Sequence, residues 1–221
     1  MRRVFENRAE AGRALADALA DRRGAPDTVV LGLPRGGVPV AYEIASALGL
    51  PLDVLLVRKL GLPWQPELAM GAIASGGAIV VNDEVLRHLP PGSDVLASVR
   101  QREQCELERR ERVFRGDRPP LDMRGRTGIL VDDGLATGAT MEAAVRALRK
   151  LGAARVVVAV PVAAVEARDR IAAVADEVVC LSAPEWFSAV GQWYRDFGQT
   201  EDAEVSELLE QAAVRAAGEK S

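Results

Sequence analysis

Apolar residues along this chain fall into short continuous runs separated by amphipathic stretches, the alternation expected of buried strands and the helices that cover them. Residues 27–33, "DTVVLGL", form one such run between turn residues and read as a strand. Residues 53–60 ("DVLLVRKL"), 128–132, 155–160 and 177–181 read the same way. Helical spacing of apolar positions appears over 38–49, 140–151 and about 164–174, with Gly49 ending the first of these. An N-terminal helix is expected over 5–22, where Phe5, Gly12, Leu15 and Leu19 fall on one face, and a last helix over about 202–217. Strands that alternate with helices predict an α/β class: a parallel sheet with helices on both faces and right-handed crossovers. Ligands of such sheets sit beyond the carboxyl ends of the strands.

Two stretches break the alternation. Residues 71–82 read as a hairpin around Ser75, Gly76 and Gly77. Residues 83–118 read as a lobe or flap: a short helix ended by "PPGS", then a long helix over about 94–115 with Ser93 as its cap. Glu106/Arg110, Glu108/Arg112 and Glu111/Arg115 stand at the i,i+4 spacing that stabilises an exposed helix. Aromatic residues make up only 4% of the chain, yet Trp186, Phe187, Trp193, Tyr194 and Phe197 cluster within 183–199.

A 221-residue chain that is 48% hydrophobic can bury one sizeable core, so a single domain is expected. The net charge of −4 gives no support to a nonspecific nucleic-acid binder or an anionic-membrane binder. No apolar stretch follows the first arginines, and the longest apolar run, 156–165, is short and interrupted by Pro161. Cys105 and Cys180 have no metal-ligand spacing. A reduced, cytoplasmic chain is the expectation. His88, the only histidine, reads as a surface or capping residue, Cys180 as a buried inert thiol, and the charge run of the long helix as a solvated face.

The chemistry concentrates in residues 129–140, "ILVDDGLATGAT". Two adjacent carboxylates at a strand end suit the paired hydroxyls of a diol. Gly134 and Gly138 permit tight turns, Thr137 and Thr140 add hydroxyls, and the helix that opens next offers free N–H groups to a phosphate. The Gly-Lys-Thr end of a P-loop and the G-x-G-x-x-G of a dinucleotide fold are both missing. A second turn, Pro34-Arg35-Gly36-Gly37, follows the first strand; its glycines let backbone amides approach an anion, and Arg35 adds charge. Arg58 and Lys59 end the next apolar run.

"ILVDDGLATGAT" resembles the signature of type I phosphoribosyltransferases, enzymes that use 5-phosphoribosyl-1-pyrophosphate (PRPP). The order of the glycine turn, basic strand end, hairpin and acid motif matches that family over about 28–182. "RKLGLPWQPELAMGAIASGG" is similar to a bacterial subgroup of it that brings no acceptor assignment. The resemblance implies that Asp132 and Asp133 hold the ribose hydroxyls and that Gly134, Leu135, Ala136, Thr137, Gly138, Ala139 and Thr140 wrap the 5-phosphate. It further implies that Arg35, Gly36, Gly37, Arg58 and Lys59 face the pyrophosphate, with a non-proline cis peptide expected at Arg35–Gly36. Arg35 and Lys59 would help catalysis, and Mg²⁺ would be the cofactor, held by ligand oxygens rather than by a side-chain cage. Segments within 61–118 are the expected flap. Residues 183–199, with the N-terminal helix, are the expected hood over the acceptor.

One departure from the family matters. Enzymes for 6-oxopurines carry an acid where this chain has Ala136, so Glu67 in the flap is the substitute acid/base candidate, against a plain loop role. In the hood, Trp186 or Phe187 would stack on a flat base, against a role in packing. The partners implied are PRPP and a small-molecule acceptor, with no nucleic acid and no membrane; a homodimer is compatible. The alternative is a regulator that binds PRPP or a nucleotide and keeps the fold without turnover. An acid-cluster receiver or phosphatase-like domain is the remaining, weaker reading.

Overall fold

The structure is a computed structural model that describes residues 4–90 and 92–218, without the side chains of Pro66 and Glu67. Five strands form a parallel sheet: β1 (Thr28–Gly32), β2 (Leu52–Val54), β6 (Thr127–Val131), β7 (Arg155–Val162) and β8 (Glu177–Ser182), in the order β2-β1-β6-β7-β8. β1 and β6 lie side by side, with Gly32 opposite Val131, so the turns that leave both strands emerge at the same edge. The central strands β1, β6 and β7 bury both faces, which is why their apolar runs are continuous, while the edge strand β8 is only partly buried. Val30, Ile129, Val131, Val157 and Ala159 join one core; Val29, Leu31, Leu130, Val156, Val158 and Val160 alternate with them into another.

The first core is covered chiefly by α2 (Gly37–Leu48) and α7 (Asp202–Gly218), with α1 (Arg8–Ala18) packed on α2. The second is covered by α5 (Ala139–Lys150) and α6 (Val165–Ala172). Gly49 ends α2 in the left-handed region, at φ 64°, as its position predicts. The N-terminal helix is shorter than expected. Asn7 caps α1 by accepting from Glu10 N at 3.0 Å, so Phe5 stays outside the helix and bridges to Tyr194 instead.

The run 53–60 is not one strand. β2 ends at Val54, Leu55 N donates to Gly32 O at 3.2 Å, and the chain then leaves the parallel sheet as β3 (Val57–Leu62). β3 pairs antiparallel with β4 (Gln65–Ala74), and β4 with β5 (Ala78–Val81), forming a separate three-stranded sheet. Buried Ser75 fixes that exit: its hydroxyl accepts from Leu56 N at 3.0 Å and its N–H donates to Leu56 O at 2.9 Å. The expected hairpin over 71–82 is therefore present, and its first strand begins earlier, at Gln65.

A short helix α3 (Asp83–Leu86) and the long α4 (Val95–Arg115) fill the charged stretch. Asp94 is the N-cap of α4 and makes no side-chain cap bond; the Ser93 hydroxyl accepts from Val95 N at 3.4 Å, a weak contact. Of the three expected ion pairs only Glu106–Arg110 forms, at 2.8 Å; Glu106 also takes Arg109, and Glu108 accepts from Gln104. Arg115 turns inward instead. Its Nε and a terminal nitrogen meet both oxygens of Asp53 on β2, at 3.0 and 2.9 Å, and it also donates to Pro119 O at 2.7 Å. This nearly buried fork ties the lobe to the sheet. Replacing Arg115 with alanine strands a desolvated carboxylate and should cost about 3 kcal/mol in chemical denaturation; Arg115→Met with Asp53→Leu should recover part of it. Cys180 is half-buried, which pushes its thiol up, and Cys105 is exposed. Among the described residues no helix is long and apolar enough to cross a membrane.

Candidate functional site at the acid pair and two glycine turns

Asp132 and Asp133 follow β6 directly, and the Pro34–Gly37 turn follows β1 beside them. The two turns touch. A methyl group on Gly36 would lie 2.0 Å from Oδ2 of Asp133, and one on Gly37 would lie 2.5 Å from Val131 O. Gly36 has ordinary right-handed helical torsions, φ −61° and ψ −29°. It is therefore glycine because of close approach rather than backbone strain, and what approaches is the acid pair. Gly37 donates its N–H to Leu33 O at 3.0 Å, so that amide is committed within the turn. The non-proline cis peptide is Pro34–Arg35, one bond before the expected Arg35–Gly36.

The acids are only partly open to solvent. Asp133 N donates to Oδ1 of Asp132 at 2.9 Å. Oδ2 of Asp133 accepts from Arg8 Nε at 2.8 Å, with both side chains about nine-tenths buried. Tyr194 donates its hydroxyl to Asp133 O at 2.7 Å. Burial pushes the Asp132 carboxyl well above the usual range, and the neighbouring Asp133 adds to that shift. Burial also raises Asp133, opposed first by the hydrogen bond from Arg8. Burial and the nearby acids push the Tyr194 phenol up, so it stays a neutral donor.

The loop after the acids divides by role. Leu135 is buried and stitched to β7: its N–H donates to Val162 O at 2.9 Å, and its carbonyl accepts from Ala164 N at 2.9 Å. Leu135 therefore fixes the loop and has no amide left for a phosphate. Beyond it, Ala136 and Thr137 are exposed, and Gly138 turns with φ 75° into α5. Thr137 Oγ1 accepts from Ala139 N at 3.4 Å. Among the described residues, the N–H groups of Ala136, Thr137, Gly138 and Thr140 donate to no protein group. They surround the N-terminus of a twelve-residue helix, where a doubly charged anion is favoured.

The basic residues separate. Arg58 Nε donates to Glu103 on α4 at 2.9 Å, so Arg58 is engaged by the lobe. Its neighbour Lys59, opposite in a strand's alternation, lines an open cavity of about 510 Å³ with Ala139, Glu142 and Arg146 of α5. Arg35 is one-third exposed, with Glu201 and Asp202 each at 3.8 Å, too far for hydrogen bonds. The side chain of Glu67 lies outside the described residues; its backbone belongs to β4. In the 183–199 segment Trp186 is 88% exposed, whereas Phe187 packs beside Phe5, Trp193 and Tyr194. Val190 comes within van der Waals reach of Gly134, seating this segment on the acid motif.

Sequence reading missed Arg8 and the roles of Tyr194 and Phe197. Arg8 stands 125 residues from Asp133, and nothing in its local spacing distinguishes it from Arg13, the other arginine of α1. Among the described residues no group of three or more His, Cys, Asp or Glu could hold a metal ion. The two carboxylates and the free N–H groups here suit the hydroxyls and phosphate of a ligand, not a metal cage, so Mg²⁺ would be carried on the oxygens of a phosphorylated ligand.

The profile of the phosphoribosyl transferase domain family matches residues 4–197. Two Mycobacterium tuberculosis proteins, from strains CDC 1551 / Oshkosh and H37Rv and provisionally named phosphoribosyl transferases, are each 50% identical over 210 residues, 95% of this chain. The chain spans about half of their length, 47%. The crystal structure of TT1426 from Thermus thermophilus superposes with a TM-score of 0.85 at 48% identity, covering 96% of this chain and 99% of that one. The match takes in both glycine turns, the acid pair and most of the aromatic segment that seats on them, and on it the chain belongs to the phosphoribosyl transferase domain family.

Proposed function

We propose that this chain transfers the 5-phosphoribosyl group of PRPP to a flat, nitrogenous acceptor and releases pyrophosphate. The observation that carries this reading is the direct contact of the two turns: an acid pair, a basic glycine turn and unpaired amides at a helix N-terminus share one edge of the sheet. Asp132 and Asp133 accept hydrogen bonds from the ribose hydroxyls. The amides of Ala136, Thr137, Gly138 and Thr140 take the 5-phosphate, while Leu135 keeps the loop in place. Arg35, loosely held by Glu201 and Asp202, and the Gly36 amide face the pyrophosphate, with Lys59 approaching from the hairpin side. These groups stabilise charge that grows on the leaving pyrophosphate as the bond to the sugar breaks. Mg²⁺, when bound, supplies further charge neutralisation there; its ligands would be pyrophosphate and ribose oxygens and water, so Asp132 and Asp133 reach it only through the sugar. Arg58, engaged by Glu103, is left out of this scheme.

Trp186 is the residue offered to the acceptor, because it is the most exposed large ring of the segment and Phe197, also exposed, is taken up by Arg8 and Tyr194. Trp186→Ala should raise the acceptor KM about five- to tenfold, the scale of one lost stacking contact, with PRPP affinity unchanged. The proposal is tested by calorimetric titration with PRPP, with and without Mg²⁺, followed by pyrophosphate release across a panel of nucleobases. Binding with release for at least one base supports it. Tight binding with no release for any base favours a PRPP sensor, and no binding refutes both.

A further inference from the structure

Arg8 belongs to the first helix, yet its side chain reaches across the molecule to the acid pair and is held there on three sides. Nε donates to Oδ2 of Asp133 at 2.8 Å, a terminal nitrogen donates to Gly198 O at 2.7 Å, and the guanidinium lies 4.1 Å from the centre of the Phe197 ring. Phe197 is itself stacked on Tyr194 at 5.0 Å, and Tyr194 holds Asp133 O. A guanidinium fixed by a carbonyl and a ring as well as by its carboxylate is a built support, not an incidental ion pair.

Resting on the PRPP reading, we propose that Arg8 is a positioning residue for the sugar: it occupies Oδ2 of Asp133, keeps that carboxylate an anion, and leaves Oδ1 to accept a ribose hydroxyl. The physical need is plain. Two adjacent carboxylates removed from water repel each other, and the ordinary outcome is that one takes a proton. A protonated Asp133 donates where it should accept. The groups that face Asp133 are few. Arg8 comes from α1, Asp132 from its own strand end and Tyr194 from the aromatic segment, while Arg35 of the glycine turn points toward Glu201 and Asp202. Arg8 is thus the cation in contact with the pair, and Tyr194 is a neutral donor to the backbone.

The test uses the full chain and two readouts. The first is PRPP affinity from pH 5.5 to 9 for the native chain, Arg8→Gln and Arg8→Lys. The native chain should bind with little change from pH 6.5 to 8. Arg8→Gln should bind at least tenfold more weakly at pH 6.5 and regain most of that loss toward pH 9, as Asp133 ionises without help. Arg8→Lys should lie between them, since it restores charge without the fork. The second readout is the ¹³C carboxyl titration of Asp133 in the unliganded chain, whose midpoint should rise by about one pH unit or more in Arg8→Gln, the tenfold effect at fixed pH. A native chain that fails to bind PRPP sinks the functional reading, and the carboxyl titration then still judges the pairing. A native chain that binds, beside an Arg8→Gln variant with an unchanged profile or a loss equal at every pH, overturns the role given to Arg8.

Discussion

Asp132→Asn will make the protein more stable and will cost it the sugar. The asparagine carbonyl can keep the bond from Asp133 N, now made to Oδ1 at 2.9 Å, so the turn itself is preserved. What disappears is a buried charge next to another. Burial and Asp133 hold the Asp132 carboxyl above its unfolded-state pKa of about 3.9. Between that value and the raised native value the folded chain holds a proton that the unfolded chain has lost, so stability falls as pH rises through the window and the cost persists above it. The variant should therefore gain roughly 1–2 kcal/mol at pH 8, about 4 °C in Tm for a chain of this size. That gain should shrink to nothing below about pH 3, where the native Asp132 is protonated in both the folded and the unfolded state. PRPP affinity should fall about 100-fold, because a charge-assisted acceptor becomes an amide. Differential scanning fluorimetry across pH and a PRPP titration read the two effects separately. Loss of stability at pH 8 would contradict the cost assigned here to the buried Asp132 carboxylate.

Gly36→Ala will damage the same site from the other turn. Alanine tolerates the Gly36 torsions, so the backbone gives no reason for harm. The harm is local: the new methyl group falls 2.0 Å from Oδ2 and 2.7 Å from Cγ of Asp133, a side chain that Arg8 prevents from swinging aside. Overpacking of this kind costs roughly 1–3 kcal/mol, and PRPP affinity should drop by a factor of about 100 because the displaced group is the one that meets the sugar. Gly49→Ala is the control. Gly49 has φ 64° with open space around it, so alanine there should cost about 1 kcal/mol of stability and leave PRPP affinity alone. Equal losses of affinity in both variants would show that the first effect is only general destabilisation.

The sheet and its helices were legible because burial on both faces writes itself as continuous apolar runs, and five of those runs became the parallel strands. Legibility failed where a run continued through a change of partner. Residues 53–60 look like one strand, but a buried hydroxyl 19 residues away takes the amide of Leu56 and turns the chain into a second sheet. The long helix was equally visible, while most of its ion pairs were not, since Arg115 found a buried carboxylate better than its neighbour on the helix surface. At the site, the acid pair, the glycine turns and the helix N-terminus were readable because each is a local motif. Arg8 was not, because its meaning arises only when the first helix folds against residues 133 and 198. The glycines of the first turn were noticed as amides open to an anion, and geometry adds a second reason: Gly36 makes room for Asp133, while the Gly37 amide bonds within its own turn.

A sugar phosphate seated at the end of β6 underlies every effect described at the site. A crystal structure of the full chain with PRPP and Mg²⁺ tests it directly. The ribose oxygens should lie within hydrogen-bond distance of Asp132 and of the free oxygen of Asp133, and the 5-phosphate against the amides of residues 136–140, with Arg8 still on Asp133. PRPP bound elsewhere, or its ribose turned away from both carboxylates, would contradict it.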